Sequence, residues 1–399
     1  MAIFETISYG LVIAKSVLLS WVFLPLTILG VLTSGGLIWL IAARFKGGRY
    51  FRTVLAKLVI VKAIILFWLI LPLAILGALN LGGLARLVAT PFQGGGYFET
   101  ELAKAETAPA GTNRIHFLST GSGDAILLES GGHFALVDAA EDSDNPKDNP
   151  AYVFDGYELY VADYVKRVAG GHLDFVIGTH AHSDHIGGFD TLILDPAITV
   201  DRAYLKVYQN DNKYEYEKTW DNQEVYEQML DACAARGVEL IQDNLNHREV
   251  TLGSMTLTIF NGDANLKDEN ENTLGMLVEC NGKRAFLAGD LMNANGTETR
   301  LSKEIGGPLD LLKAAHHGNE GSSTMAFVAR LKPASVVFTN KAGAPHATVR
   351  NRFAAISNSK LMTTGQFGGV MASFEGDTIQ YYAIGEFPSG IGGANVERR

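Results

Sequence analysis

His180-Ala181-His182-Ser183-Asp184-His185 is the stretch on which the reading of this chain turns. Four of its six residues can bind a metal ion. It follows a strand-like apolar run, Leu173-Asp174-Phe175-Val176-Ile177-Gly178-Thr179, and leads into Ile186-Gly187-Gly188. In extended backbone, residues two apart face the same side. His180 and His182 can therefore grip one cation, while Asp184 and His185, beyond a turn, reach a second. A polar loop that merely happens to hold histidines is the plainer alternative. It is disfavoured because further candidate ligands recur downstream.

Outward from that stretch the pattern is one of strands and helices. Residues 114–118, 124–129 and 133–138 read as strands, and Gly131-Gly132 suits a tight turn between the last two. Residues 157–169 carry apolar positions at Leu159, Ala162, Val165 and Val168, which predicts a helix. Residues 226–236 read as another, closed by Gly237. Strands are expected again over 255–260, 274–279, 284–290, 309–315, 335–339, 370–374 and 379–384, with helices over 324–331 and 349–356. Strands, helices and strands, twice over, predict an α/β fold of two mixed sheets packed face to face with helices outside. Residues 201–250 are more polar, and their Tyr208, Tyr214, Tyr216 and Trp220 either line a substrate rim or pack against the sheet edge.

The apolar content, 47% of 399 residues, is unevenly spread. Residues 16–43 and 63–85 carry no charge, and each run exceeds the roughly 20 residues that cross a bilayer. Soluble helices normally show a polar face. Pro25, Gly35-Gly36 and Pro72 are tolerated in membrane helices. A cleaved signal peptide fits poorly, since Lys15 is the only early base. The connecting loop holds Arg44, Lys46, Arg49, Arg52 and Lys57 with no acid, which places it in the cytoplasm. Both chain ends are then expected on the periplasmic or extracellular side of a bacterial-type inner membrane. The expected division is a membrane region over 1–89, a Gly/Pro-bearing linker over 90–113, a catalytic domain over 114–384 and a Gly-rich tail over 385–399. Beyond residue 99 there are 25 bases and 41 acids, a surface that disfavours long nucleic acid as a partner. Cys233 and Cys280 lack zinc-site spacing and read as two buried free thiols.

Three polar clusters end apolar runs: residues 180–185, Asp290 after Gly289, and His316-His317. Rigid strands that deliver loops to one edge are where sites form. A carboxylate at 290 could bridge two cations. Imidazole and carboxylate without thiolate suit zinc, or manganese or iron where oxygen dominates. Two adjacent divalent ions would bring a shared water near neutral pKa and clamp the attacking and leaving oxygens, which is hydrolytic machinery.

His180-x-His182-x-Asp184-His185 resembles the signature of the metallo-β-lactamase superfamily. Gly121-Ser122-Gly123-Asp124-Ala125, Asn272-Thr273-Leu274, Gly289-Asp290, Ala315-His316-His317-Gly318 and Pro345-His346 resemble, in the same order, motifs of its competence-protein type hydrolases. The resemblance covers residues 114 to about 384 and implies a four-layer αββα sandwich with a two-metal centre, here preceded by a two-helix transmembrane hairpin. Carried over, His180 and His182 would hold the first ion. Asp184, His185 and His317 would hold the second, with Asp290 bridging. The ions would be Zn2+, with Mn2+ the alternative. Asp184 and His316 would serve catalysis, His316 either on a substrate oxygen or through a supporting hydrogen bond. Asp138 resembles the acid that orients the metal-binding loop, and Asp124 and His346 are expected in supporting places. Two features depart from the pattern. The superfamily's usual third histidine is missing, since His247 alone lies in that interval and without a motif. The multi-span pore region of DNA-uptake proteins is also missing. His116, His133 and His172 read as structural.

The expected activity is a membrane-anchored phosphodiesterase acting outside the cytoplasm, with a phosphoester-bearing small molecule or envelope polymer as substrate. The alternatives are a β-lactam or lactone hydrolase, or a non-catalytic accessory module of a DNA-uptake or envelope complex. Nothing in the pattern points to an oligomeric state.

Overall fold

The computed structural model describes residues 98–143 and 155–392. The charge-free runs read as membrane spans lie outside those residues. Among the described residues no helix is long and apolar enough to cross a membrane.

Two large sheets dominate. The first holds nine strands in the spatial order Ala103–Lys104, Thr378–Ala383, Val370–Glu375, Asn113–Phe117, Ala125–Ser130, His133–Ala139, Phe175–Gly178, Arg202–Leu205 and Glu239–Ile241. The second holds seven: Arg248–Leu252, Met255–Phe260, Gly275–Cys280, Lys283–Leu287, Leu311–Lys313, Ser335–Phe338 and Lys360–Thr363. In each sheet antiparallel hairpins give way to a parallel half. His133–Ala139, Phe175–Gly178 and Arg202–Leu205 run parallel in the first. Lys283–Leu287, Leu311–Lys313, Ser335–Phe338 and Lys360–Thr363 run parallel in the second.

Strand alternation sorts the side chains into layers. Ile126, Val137 and Ile177 of the first sheet meet Leu257, Met276 and Leu287 of the second in one buried core. Their neighbours Leu127, Leu136 and Val176 face the other way, against Val161 and Val165 of the helix Glu158–Val168, Phe189 of Phe189–Leu194 and Met229 of Asn222–Arg236. Phe286, Leu312 and Val336 likewise face Leu301, Phe327 and Phe353 on the helices Thr297–Ile305, Met325–Leu331 and Ala347–Ser357. The order helix, sheet, sheet, helix follows from those three cores. Each fully buried Leu or Phe contributes about 1.5–3 kcal/mol.

Some boundaries differ from the sequence reading. The helix expected over 226–236 begins at Asn222, because its polar first turn, Asn222-Gln223-Glu224, carries no apolar period; Gly237 does close it, at φ 67°. Residues 98–113, part of the expected linker, attach to the sheets. Phe98 packs on Phe338 at 5.8 Å, Glu99 N donates to Leu361 O at 2.8 Å, and Ala103–Lys104 pairs with Tyr382 and Ala383. Within the expected tail, Glu386 pairs with Arg167 at 2.9 Å and Ile391–Gly392 pairs with Asp155–Gly156. Cys233 and Cys280 are buried free thiols.

Candidate metal centre

The parallel halves deliver their C-terminal ends to one edge, where ligands of α/β sheets bind. Asp138 ends the strand His133–Ala139. Thr179 and His180 follow Phe175–Gly178, and Asp290 follows Lys283–Leu287. His316 and His317 follow Leu311–Lys313, and Thr339 follows Ser335–Phe338. Three of the site residues hold left-handed backbone: Asp138 at φ 57°, His316 at 50° and His317 at 52°. Such strain persists only where surrounding contacts over-determine it.

His185 and His317 bring their Nε2 atoms 3.3 Å apart. Asp290 spans the pair, Oδ1 at 3.2 Å from His185 Nε2 and Oδ2 at 3.1 Å from His317 Nε2. Asp184 Oδ2 lies 3.2 Å from His317 Nε2 and 3.8 Å from His185 Nε2. On the adjoining side His180 Nε2 faces His182 Nδ1 at 3.1 Å, and the His180 ring lies 4.2 Å from that of His185. His316 stands at the mouth with a side chain 24% exposed, its Nε2 3.7 Å from Asp290 Oδ2.

The far nitrogens are held from behind. Asp138 Oδ2 meets His185 Nδ1 at 2.7 Å, and both its oxygens accept from Thr179, the backbone N and the Oγ1, each at 2.8 Å. Asp124 Oδ1 lies 3.3 Å from His317 Nδ1 and accepts from Thr339 Oγ1 at 2.5 Å. Asp124 Oδ2 pairs with the buried Lys313 ammonium at 2.6 Å, which also donates to Gly289 O at 2.9 Å. Carboxylates behind imidazoles fix tautomer and ring angle. The glycine turn before Asp124 packs on the loop itself: Asp124 N donates to Asp184 O at 3.1 Å, and a Cβ at Gly123 would lie 2.7 Å from that oxygen.

The donor set fits divalent cations. Asp124, His185, Asp290 and His317 offer atoms all within 4.8 Å of one another. All four are buried. Two pairs of imidazole nitrogens face each other, and the buried His182 Nε2 makes no hydrogen bond. The set holds imidazole and carboxylate without thiolate.

The protein's own charges already do part of what a cation would do. Burial works against charge on His185, yet Asp290, Asp184 and Asp138 hold its imidazolium well above the usual range. His317 is buried too, and Asp290 with Asp124 pushes it up to about 10. Burial, with His185 and His182 beside it, keeps His180 well below the histidine range, and burial takes His182 down to about 4. A divalent ion that enters must displace the protons of His185 and His317. With His317 raised to about 10 and His185 raised in the same direction, cation affinity is expected to rise as the pH climbs towards that value. Acid release on Zn2+ addition, followed by pH-stat titration, checks this; a silent titration would show that both imidazoles were already neutral.

His346, expected in a supporting place, is not brought into this group. Its side chain is 43% exposed, with Nδ1 2.8 Å from Thr348 Oγ1 and Nε2 3.7 Å from Glu320; only its backbone N reaches Gly318 O, at 2.9 Å. His247, the one histidine in the interval of the missing ligand, is 57% exposed beside Glu304. His116 is buried between Tyr164 and Glu129, and His133 and His172 are exposed beside Asp174 and Thr199. Three contributors escaped the sequence reading: Lys313, Thr339 and Glu269. Glu269 Oε1 accepts from Ala181 N, inside the histidine loop, at 3.1 Å. For Lys313 a signal existed, a lone lysine inside the apolar run 309–315.

Among solved structures, similarity is found to the metallo-beta-lactamase fold protein YhfI from Bacillus subtilis (15% identity, TM-score 0.40, 63% of this chain and 96% of that one). It is also found to CmlA, a diiron beta-hydroxylase from Streptomyces venezuelae (12%, 0.39, 67% and 55%). A third is Zn(2+)-bound PqqB from Methylobacterium extorquens (14%, 0.38, 63% and 97%). The match to a CmlA mutant spans about half of that protein, 53%. No curated protein sequence matches. The family model of the beta-lactamase superfamily domain matches residues 136–338. That stretch runs from the strand bearing Asp138 to the strand before Thr339, more than half of the 399 residues, and the chain belongs to the beta-lactamase superfamily.

Proposed function

We propose that the chain is a membrane-anchored two-metal phosphodiesterase acting on an extracytoplasmic substrate. The observation that carries the reading is the span of Asp290 between the Nε2 atoms of His185 and His317, at 3.2 and 3.1 Å, beneath the partly open His316. His180 and His182 would hold one ion. Asp184, His185 and His317 would hold the other, with Asp290 between. When bound, Zn2+ or Mn2+ would supply Lewis acidity and a water activated near neutral pH. Asp138 and Asp124 keep His185 and His317 turned inward. His316 is left to hold a proton at Nε2 against a substrate oxygen; burial lowers its pKa, so the neutral ring is the working form. The competence-protein type motifs support the subgroup. The charge-free runs 16–43 and 63–85 and the basic loop between them support the anchor and its orientation. The net acidity beyond residue 99 favours a small phosphoester or envelope polymer over long nucleic acid.

The test uses the full chain in detergent, with bis-p-nitrophenyl phosphate as substrate. Turnover is expected with Zn2+ or Mn2+, lost in chelator and lost in Asp184→Ala. Hydrolysis of a β-lactam or lactone without diester turnover would move the reading to that class. Full metal loading with no ester turnover would leave an accessory module.

A further inference from the structure

Three rings in the segment after Lys213 form a chain that ends on a site histidine. Tyr214 and Tyr216 stack with centroids 5.7 Å apart and planes at 15°. Tyr216 meets Trp220 at 5.7 Å, and Trp220 meets His182 at 5.0 Å. The outer two rings are 42% and 52% exposed. Single exposed apolar side chains are ordinary, whereas contiguous ones mark contact surfaces.

The chain of rings is held in register with the metal centre. Tyr214 N donates to Lys267 O at 3.3 Å, and the buried Glu217 accepts from Glu269 N at 3.0 Å. Lys213 pairs with Glu269 at 2.5 Å, and Glu269 in turn holds Ala181 of the histidine loop. Little of this segment is regular structure, only the short turns Asn210–Asn212 and Glu217–Thr219, so its position is set by these bonds.

The residues just before the rings, 208–212, line an open depression of about 910 Å³ together with Gln223 and Asn265. Amide side chains offer a donor and an acceptor side by side. The lysines of the adjoining recess are engaged. Lys206 donates to three carbonyls, Asn261 O at 3.2 Å, Ala264 O at 2.6 Å and Asn272 O at 3.0 Å, and Lys213 is held by Leu266 O and Glu269. Neither of these two ammonium groups is left to greet a polyanion. A ring platform that follows a wall of amides and the Asp211 carboxylate matches an uncharged, hydroxyl-bearing ring, its C–H face on the tyrosines and its vicinal hydroxyls on that wall. We propose that Tyr214, Tyr216 and the amide-lined depression form a subsite for a pyranose carried on the substrate. The proposal rests on the phosphodiesterase reading and names the substrate as a sugar-bearing phosphodiester.

The test compares two p-nitrophenyl phosphodiesters on the Zn2+-loaded full chain in detergent, one of methanol and one of the 6-hydroxyl of N-acetylglucosamine. The sugar diester is expected to show a KM about tenfold lower, the size of effect a ring contact supplies. Tyr214→Ala with Tyr216→Ala should bring the KM ratio to about one, while Tyr216→Phe keeps it. Equal KM values in the wild type, or a ratio the double variant leaves intact, overturns the subsite. A lower KM for thymidine 5′-(p-nitrophenyl phosphate) than for the sugar diester overturns it in favour of a nucleobase. Absence of all diester turnover is a failure of the functional reading. The subsite is then decided by calorimetric titration with N-acetylglucosamine 6-phosphate: binding weakened in the double alanine variant upholds it, and equal or absent heats overturn it.

Discussion

Asp290→Ala is expected to lower kcat by about 10²–10³-fold or more, the cost of deleting one preorganised charge from a site of this kind, and to leave the protein with less bound metal. The carboxylate touches both inward nitrogens, His185 Nε2 and His317 Nε2. It is 1% exposed, so solvent cannot take its place. Its position depends on Gly289, which turns at φ 48° and whose Cβ would strike Thr273. His316 N also donates to Gly289 O at 3.0 Å, which ties the two clusters at the backbone. Neighbouring acids can take over little. Asp184 is offset towards His317, and Asp124 is committed behind the ring to Thr339 and Lys313. Asp290 is also the main acid that raises the pKa of His317 and His185. The variant should therefore release fewer protons on metal loading. Asp290→Asn keeps the shape and removes the charge, which separates bridging from packing. Steady-state kinetics and elemental analysis of the folded variant measure both effects. Wild-type kcat with wild-type metal content in Asp290→Ala would sink the bridging role.

The parts of this site that were legible in the sequence are those whose signal is local. Residues 173–179 run straight into the histidine loop, and 284–290 and 309–317 end in polar residues, so strand ends and their cargo could be read together. Their convergence came only from motif order and the family resemblance, since nothing local says that 185 and 317 meet. The supporting contacts were less visible for the same reason. Thr339 and Asp124 are 215 positions apart, and Glu269 reaches back 88 positions to Ala181. Asp124, expected in a supporting place, has a side chain that meets His317, Thr339 and Lys313, and nothing local in its glycine turn names those partners. The attachment of residues 98–113 was masked by composition. Glycine and proline there are real breakers, but Ala103–Lys104 is only two residues long and cannot show a period. The expected membrane spans rest on lack of charge alone and lie outside the described residues.

Lys313→Met is expected to cost about 3–5 kcal/mol of stability, the usual penalty for stranding a buried charge. The side chain is fully buried in the strand Leu311–Lys313, where the residue pairs with Leu287 on one side and Val337 on the other. A lysine there contradicts the pattern of its own strand, and only its partners make it tolerable. Asp124 Oδ2 lies 2.6 Å away, Asp290 Oδ1 3.5 Å, and Gly289 O accepts at 2.9 Å. Burial disfavours the ammonium, but Asp124 and Asp290 outweigh it and the pKa rises above the usual lysine value. The charge therefore persists across the neutral range, and its loss leaves Asp124 without its cation in a site closed to water. Methionine matches the stem in length and keeps the packing, so the measured loss reports the charge and its hydrogen bonds. Lys313→Met with Asp124→Asn should recover much of the stability, because replacing both members of a buried pair is often near neutral. Metal binding need not recover with it, since Asp124 also faces His317 Nδ1 at 3.3 Å. Thermal unfolding of the two single variants and the double variant measures the coupling. Additive losses would show that the two charges do not depend on each other, and a Lys313→Met variant as stable as the wild type would show that the ammonium is dispensable to the fold.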